Sequence, residues 1–120
     1  MKVLIVDDDR DIQLAFKIAK DRSYMSRTYF YVNAEIILVR SFKEAKEIFL
    51  AANDNDFDFL LIDHDLASED VYDDGTRLMS LLEERFVVES VKPFKNIIPI
   101  SSNPIGVERI WEIARRLDVF

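Results

Sequence analysis

Residues Phe57–Leu66 read FDFLLIDHDL. A near-continuous apolar run of strand length ends abruptly in Asp63-His64-Asp65, two carboxylates flanking the only histidine of the chain. Apolar runs without alternation belong to strands covered on both faces, the habit of parallel sheets. A buried strand that ends in charge delivers those charges to the rim of a sheet.

The flanking sequence has the same grammar. KVLIVD (2–7), EIILV (35–39) and NIIPIS (96–101) are further short β-branched runs, and amphipathic stretches separate them. DIQLAFKIAKDR (11–22) places Ile12, Ala15, Phe16 and Ala19 on one helical face. SFKEAKEIFLAA (41–52) opens with a capping box, Ser41 and Glu44, and carries a stripe of Phe42, Ala45, Ile48, Phe49 and Ala52. DGTRLMSLLEER (74–85) presents Leu78, Leu81 and Leu82, with Asp73 or Asp74 as its cap. The last helix opens at Asn103-Pro104, an N-cap followed by proline at the first helical position, and buries Ile110, Trp111, Ala114 and Leu117. There is no internal repeat and no low-complexity tract.

Composition narrows the function. At 120 residues the chain suits one domain, residues 1–120, with a proper core. No cysteine is present, so disulfides and thiolate metal sites are excluded, and a single histidine argues against structural zinc. A net charge of −7 disfavours a broad nucleic-acid-binding face. No apolar run reaches membrane-spanning length, and Met1-Lys2-Val3 leads directly into a strand. The expectation is a soluble cytoplasmic protein with no membrane partner.

Alternating strands and helices predict a parallel sheet with helices on both faces, and such sheets bind ligands at the carboxyl ends of their strands. Three of the four strands end in polar clusters: Asp7-Asp8-Asp9-Arg10, Asp63-His64-Asp65 and Ser101-Ser102-Asn103. Right-handed crossovers bring these ends to one rim. Two carboxylates about 6 Å apart repel by roughly 3 kcal/mol at an effective dielectric of about 20. Several on one rim call for a cation, and an all-oxygen donor set favours Mg²⁺ or Mn²⁺. Ser101 and Ser102 offer hydroxyls, and the helix start after Asn103 offers free N–H groups and a positive dipole end to a phosphate. Asp63 and Asp65 are thus expected to hold a metal, and the metal a phosphate. Arg10 and Arg109 either bind that phosphate or pair with surplus acid. His64 is either a proton carrier or a loop residue. Asp7 to Asp9 have the alternative of capping the first helix, and Ser101 and Ser102 of ordinary capping.

VDDDR (6–10), IDHDLA (62–67) and ISSNPIG (100–106) resemble the LDDER, DHDLG and HSANPxG motifs of cyclic-phosphate processing receiver-like domains, an offshoot of the response-regulator receivers. The resemblance covers nearly the whole chain. It implies a flavodoxin-like α/β sandwich of three layers, with about four strands in the order 2-1-3-4. It further implies Asp7 and Asp8 as metal ligands, Asp63 as the central aspartate, and Asp65 and Ser101 beside it. Implied partners are a phosphorylated or cyclic-phosphate small molecule or an RNA end, and a protein partner if the aromatic stretch SYMSRTYFY (23–31) is exposed. Ile100 stands where the family often has histidine, and Ala67 where it has glycine, which leaves a weakened site or reliance on His64. An ordinary receiver also has a fifth strand ending in a lysine that pairs with the phosphorylated aspartate, as in signalling through Asp63. Here the chain stops one helix after the serine strand, and Lys92-Pro93 precedes that strand and reads as a loop. Three functions remain open: processing of a cyclic phosphate, phosphoacceptor signalling, and phosphate binding without chemistry.

Overall fold

The computed structural model describes residues 1–22, 34–66, 70 and 72–119. The elements alternate as β1 (Lys2–Val6), α1 (Ile12–Arg22), β2 (Glu35–Val39), α2 (Phe42–Ala51), β3 (Phe57–Ile62), α3 (Gly75–Glu89), β4 (Phe94–Pro99) and α4 (Pro104–Arg116). The four strands pair in parallel in the order β2-β1-β3-β4, as the resemblance implied. The aromatic stretch 23–31 and Ala67 lie outside the described residues.

Strand pleating divides the apolar side chains between two clusters. Leu4, Val6, Leu60, Ile62 and Ile97 face α2, α3 and α4. Val3, Ile5, Phe59, Leu61, Ile98 and Ile100 face α1, whose Ala15, Phe16 and Ala19 are fully buried. The two alanines let α1 approach the sheet closely and Phe16 fills the remaining space; burial of such a side chain contributes roughly 2–3 kcal/mol. Ile100 is fully buried in this cluster, so the position where the family often has histidine points into the core here.

Helix ends follow the sequence with two differences. Ser41 accepts from Glu44 N at 3.2 Å, and its hydroxyl donates to Glu44 Oε1 at 2.9 Å, a variant of the reciprocal capping box. Asp74 caps α3 by accepting from Arg77 N at 2.9 Å. That helix runs past Arg85 to Glu89 and ends at Ser90 in the left-handed region, φ 58°. β4 begins at Phe94, inside the stretch read as a loop, and Phe94 packs between Phe49 and Phe57.

Pro99 sits in β4 because that strand is an edge. Ile100 N donates inward to Ile62 O at 2.9 Å, whereas Ile97 N donates outward to Val119 O at 2.6 Å. By alternation the nitrogen of Pro99 faces outward, where no ladder partner needs an N–H. Lys92 lies at the opposite, amino end of the sheet, its ammonium donating to Leu117 O at 3.0 Å. It cannot serve the acidic rim.

Candidate functional site

Parallel register sets the rim. Val6 pairs with Ile62, and Ile62 with Pro99, so Asp7, Asp63 and Ile100 are the next residues of three adjacent strands. The ladder reaches one residue further, with Asp7 N on Val39 O at 3.2 Å and Asp63 N on Val6 O at 2.8 Å. The backbone therefore fixes both aspartates. Among the described residues the buried polar ones are Asp7, Asp63 and Ser101. Asp7, Asp8 and Asp63 each bring a carboxylate oxygen within 4.8 Å of the others. Capping of α1 falls instead to Asp11, which accepts from Leu14 N at 2.8 Å.

The two buried carboxyls are pushed in opposite directions. Burial raises the Asp7 pKa, but the Arg10 guanidinium and the backbone N–H groups of Arg10 and Asp9 together hold it below its ordinary value. Asp7 Oδ1 accepts from Asp9 N at 3.1 Å and Arg10 N at 3.0 Å, and Oδ2 accepts from Arg10 Nη1 at 2.9 Å. Asp63 is pushed up, first by burial and then by the charge of Asp7, against the opposing pull of Arg10, the Ser101 hydroxyl and Asp65 N. Arg10 Nη1 lies 3.2 Å from Asp63 Oδ2 and so bridges both carboxylates.

This donor set fits a hard divalent cation. It is all oxygen, it is anionic beyond what one arginine neutralises, and part of it is too buried for water to relieve the repulsion. Asp7, Asp8 and Asp63 are the residues that could hold Mg²⁺ or Mn²⁺. Asp65 and His64 lie outside this group. The Asp65 carboxylate is mostly exposed and meets His64 Nδ1 at 3.0 Å. His64 Nε2 is shielded from solvent, 3.4 Å from Asp74 Oδ2, and makes no hydrogen bond.

The Ser101–Asn103 segment differs from its sequence reading in one respect. Pro104 has no N–H, and Asn103 Oδ1 accepts from Ile105 N at 3.1 Å and Gly106 N at 3.2 Å. Val107 N donates to Asn103 O at 2.9 Å. The expected free N–H groups at the start of α4 are therefore taken by the cap itself. Ser101 is likewise engaged, donating to Asp63 and accepting from Asn103 N at 3.0 Å. Ser102 is exposed beside it. Arg109 is exposed further along α4 and makes no ion pair with the acidic group.

Two features were missed in the sequence. Both glycines of the chain press on residues 63 and 64. A Cβ on Gly75 would overlap the carbonyl oxygen of Asp63, and one on Gly106 would overlap the His64 ring. Neither has a positive φ, so close approach and not backbone freedom explains them. Their scarcity was the available signal. The second feature is Arg22, whose Nη1 donates to Pro99 O at 3.0 Å and brings another cation to the end of β4. Burial lowers its pKa, and the nearby charge of Arg10 lowers it further.

A parallel α/β sheet with an acidic cluster at the carboxyl ends of its central strands defines a receiver-like domain. The chain belongs to the family of cyclic-phosphate processing receiver domains, whose family model matches residues 2–116. No curated protein matches the chain, and no solved structure does. Among the described residues no helix is long and apolar enough to cross a membrane.

Proposed function

We propose that the domain binds a cyclic phosphate, on a small nucleotide or an RNA end, at a divalent-metal site and opens the ring by hydrolysis. The observation that carries this reading is the convergence of Asp7, Asp8 and Asp63 within 4.8 Å. In the reaction, water adds to phosphorus, one ring P–O bond breaks, and the products are a phosphomonoester and a free hydroxyl. Asp7, Asp8 and Asp63 would hold the ion, which when bound would supply positive charge for the phosphate oxygens.

The remaining chemistry belongs to the chain. Asp63, buried at the centre of the acidic group, is the carboxylate proposed to take the proton of the attacking water. Ser101 and Asp65 N orient that carboxylate. His64, turned toward Asp65 and Asp74, acts through the β3–α3 connection and not on the phosphate directly. Storage of a phosphoryl group on Asp63 is disfavoured in this reading, since Lys92 of the Lys-Pro pair sits at the far end of the sheet.

The test is incubation with Mg²⁺ and three probes: a 2′,3′-cyclic nucleotide, an RNA with a cyclic-phosphate end, and acetyl phosphate. The expected result is ring opening of a cyclic substrate, abolished by EDTA, with no lasting mass gain from acetyl phosphate. Tight binding without product would reduce the domain to a phosphate-binding module. A stable phosphoryl adduct, lost on Asp63→Asn, would establish the signalling reading in its place.

A further inference from the structure

We infer that Arg10 is a tethered counter-cation that closes the acidic site until a divalent ion displaces it, and that the freed guanidinium then serves as a phosphate ligand. The inference rests on the metal-dependent reading above and assigns a binding order to that site.

The oxygens decide it. Asp7 Oδ1 already accepts two backbone N–H groups, from Asp9 and Arg10. Oδ2 is the Asp7 oxygen free of backbone donors, and Arg10 Nη1 sits on it at 2.9 Å. The same nitrogen lies 3.2 Å from Asp63 Oδ2. One guanidinium nitrogen thus spans two of the three carboxylates that a metal would join. Mg²⁺ needs its oxygens at about 2.1 Å, in near-octahedral array. A guanidinium on the same two oxygens takes their lone pairs and adds like-charge repulsion.

Arg10 can leave at low cost to the fold. Its backbone N–H stays on Asp7 Oδ1, so only the side chain moves. That side chain retains 16% exposure, whereas the Asp7 carboxylate has none, so the arginine has a path to solvent. Charge gives the motion a use. Three carboxylates and Arg10 carry −3 + 1 = −2, which a divalent ion brings to zero. A neutral cluster attracts a phosphate only if positive charge turns outward. The start of α4 does not provide it through free N–H groups, since Asn103 takes them. The displaced guanidinium does, with two N–H groups in a fork suited to phosphate oxygens. Metal binding therefore precedes phosphate binding.

The experiment compares wild type with Arg10→Met by calorimetric titration at pH 8, first with Mg²⁺ alone and then with inorganic phosphate at saturating Mg²⁺. Losing a charge-assisted competitor should tighten Mg²⁺ binding by about tenfold or more, and losing a charged ligand should weaken phosphate by a similar factor. Opposite signs from one substitution are not the mark of a merely structural residue. Equal or weaker Mg²⁺ binding, or unchanged phosphate binding, would overturn the inference. Nitrogen NMR of the wild-type arginine side chains supplies a second readout that needs no variant. The Arg10 Nε–H signal should shift with the Mg²⁺ midpoint, and a signal indifferent to Mg²⁺ overturns the inference. If neither protein binds Mg²⁺, the metal reading fails with it; if both bind it equally, only the role of Arg10 fails.

Discussion

Replacing Asp63 by asparagine should stabilise the metal-free protein, although it removes a buried residue's salt bridge. The ionised carboxylate lies within 4.8 Å of oxygens on both Asp7 and Asp8, which costs roughly 3 kcal/mol from each at an effective dielectric of about 20. Arg10, at 3.2 Å, returns roughly 5 kcal/mol on the same scale. The balance opposes ionisation by about 1–2 kcal/mol before burial adds its share. Asparagine is isosteric and keeps an oxygen for Ser101 and Asp65 N. The expected gain is about 1–2 kcal/mol, or about 4–8 °C in Tm for a domain of this size.

The pH dependence has a definite sign. The Asp63 pKa is raised by burial and by Asp7, so protonation relieves the folded state. The gain from Asp63→Asn is complete above the raised folded-state pKa. It disappears as pH falls below the ordinary aspartate value of 3.8, where wild type is protonated in both states. Added Mg²⁺ should reverse the ranking, since an ion at a hundred times its Kd stabilises wild type by about 2.7 kcal/mol. Scanning calorimetry with EDTA from pH 3 to pH 8, and with Mg²⁺ at pH 7.5, reads both effects. A variant less stable than wild type in EDTA at pH 7.5 would show that the Arg10 bridge outweighs the repulsion, and the electrostatic reasoning would fail.

Gly106→Ala should cost about 1–3 kcal/mol in urea denaturation, and His64→Ala in the same chain should restore most of it, because the added Cβ meets the His64 ring. Gly75→Ala should cost at least as much with no such rescue, because its Cβ meets the backbone of Asp63 and His64. Arg85→Ala should cost about 1–3 kcal/mol in the same assay, because Arg85 Nη1 donates to Phe49 O at 2.9 Å and to Ala52 O and so closes the carboxyl end of α2. Equal stability of Arg85→Ala and wild type would show that solvent caps those carbonyls as well as arginine does.

The strand order and the convergence of Asp7 with Asp63 were legible because each is a local signal repeated along the chain. An apolar run followed by aspartate means a strand end, and parallel crossovers send all such ends to one rim. Element ends were less legible where propensity and context disagree. Val87 and Val88 read as strand formers, yet both sit exposed in the last turns of α3. Packing of Leu78, Met79 and Leu82 carries that helix past them. The Asn103-Pro104 pair correctly announced a helix start, but that same asparagine consumes the N–H groups expected to bind phosphate. The contact between Arg22 and Pro99 could not be read at all, since it depends on the path of α1 across the sheet.

The outer edge of β4 links the fold to the choice between turnover and storage. A fifth strand, if present, would pair with the outward groups of Lys95, Ile97 and Pro99. Ile97 N is taken by Val119 O, Pro99 has no N–H, and Pro99 O is taken by Arg22. The edge is thus obstructed at Ile97 N and at Pro99, one way of blunting an exposed strand. Positive charge at this rim comes from Arg10, on the same segment as Asp7 and Asp8, from Arg40, whose Nη1 donates to the carbonyl oxygens of Asp7 and Arg10, and from Arg22, engaged with the backbone of β4. A cation that must first release two carboxylates can greet a phosphate as it arrives. Under the proposed function, a phosphate passing through the site is better accommodated than one stored in it.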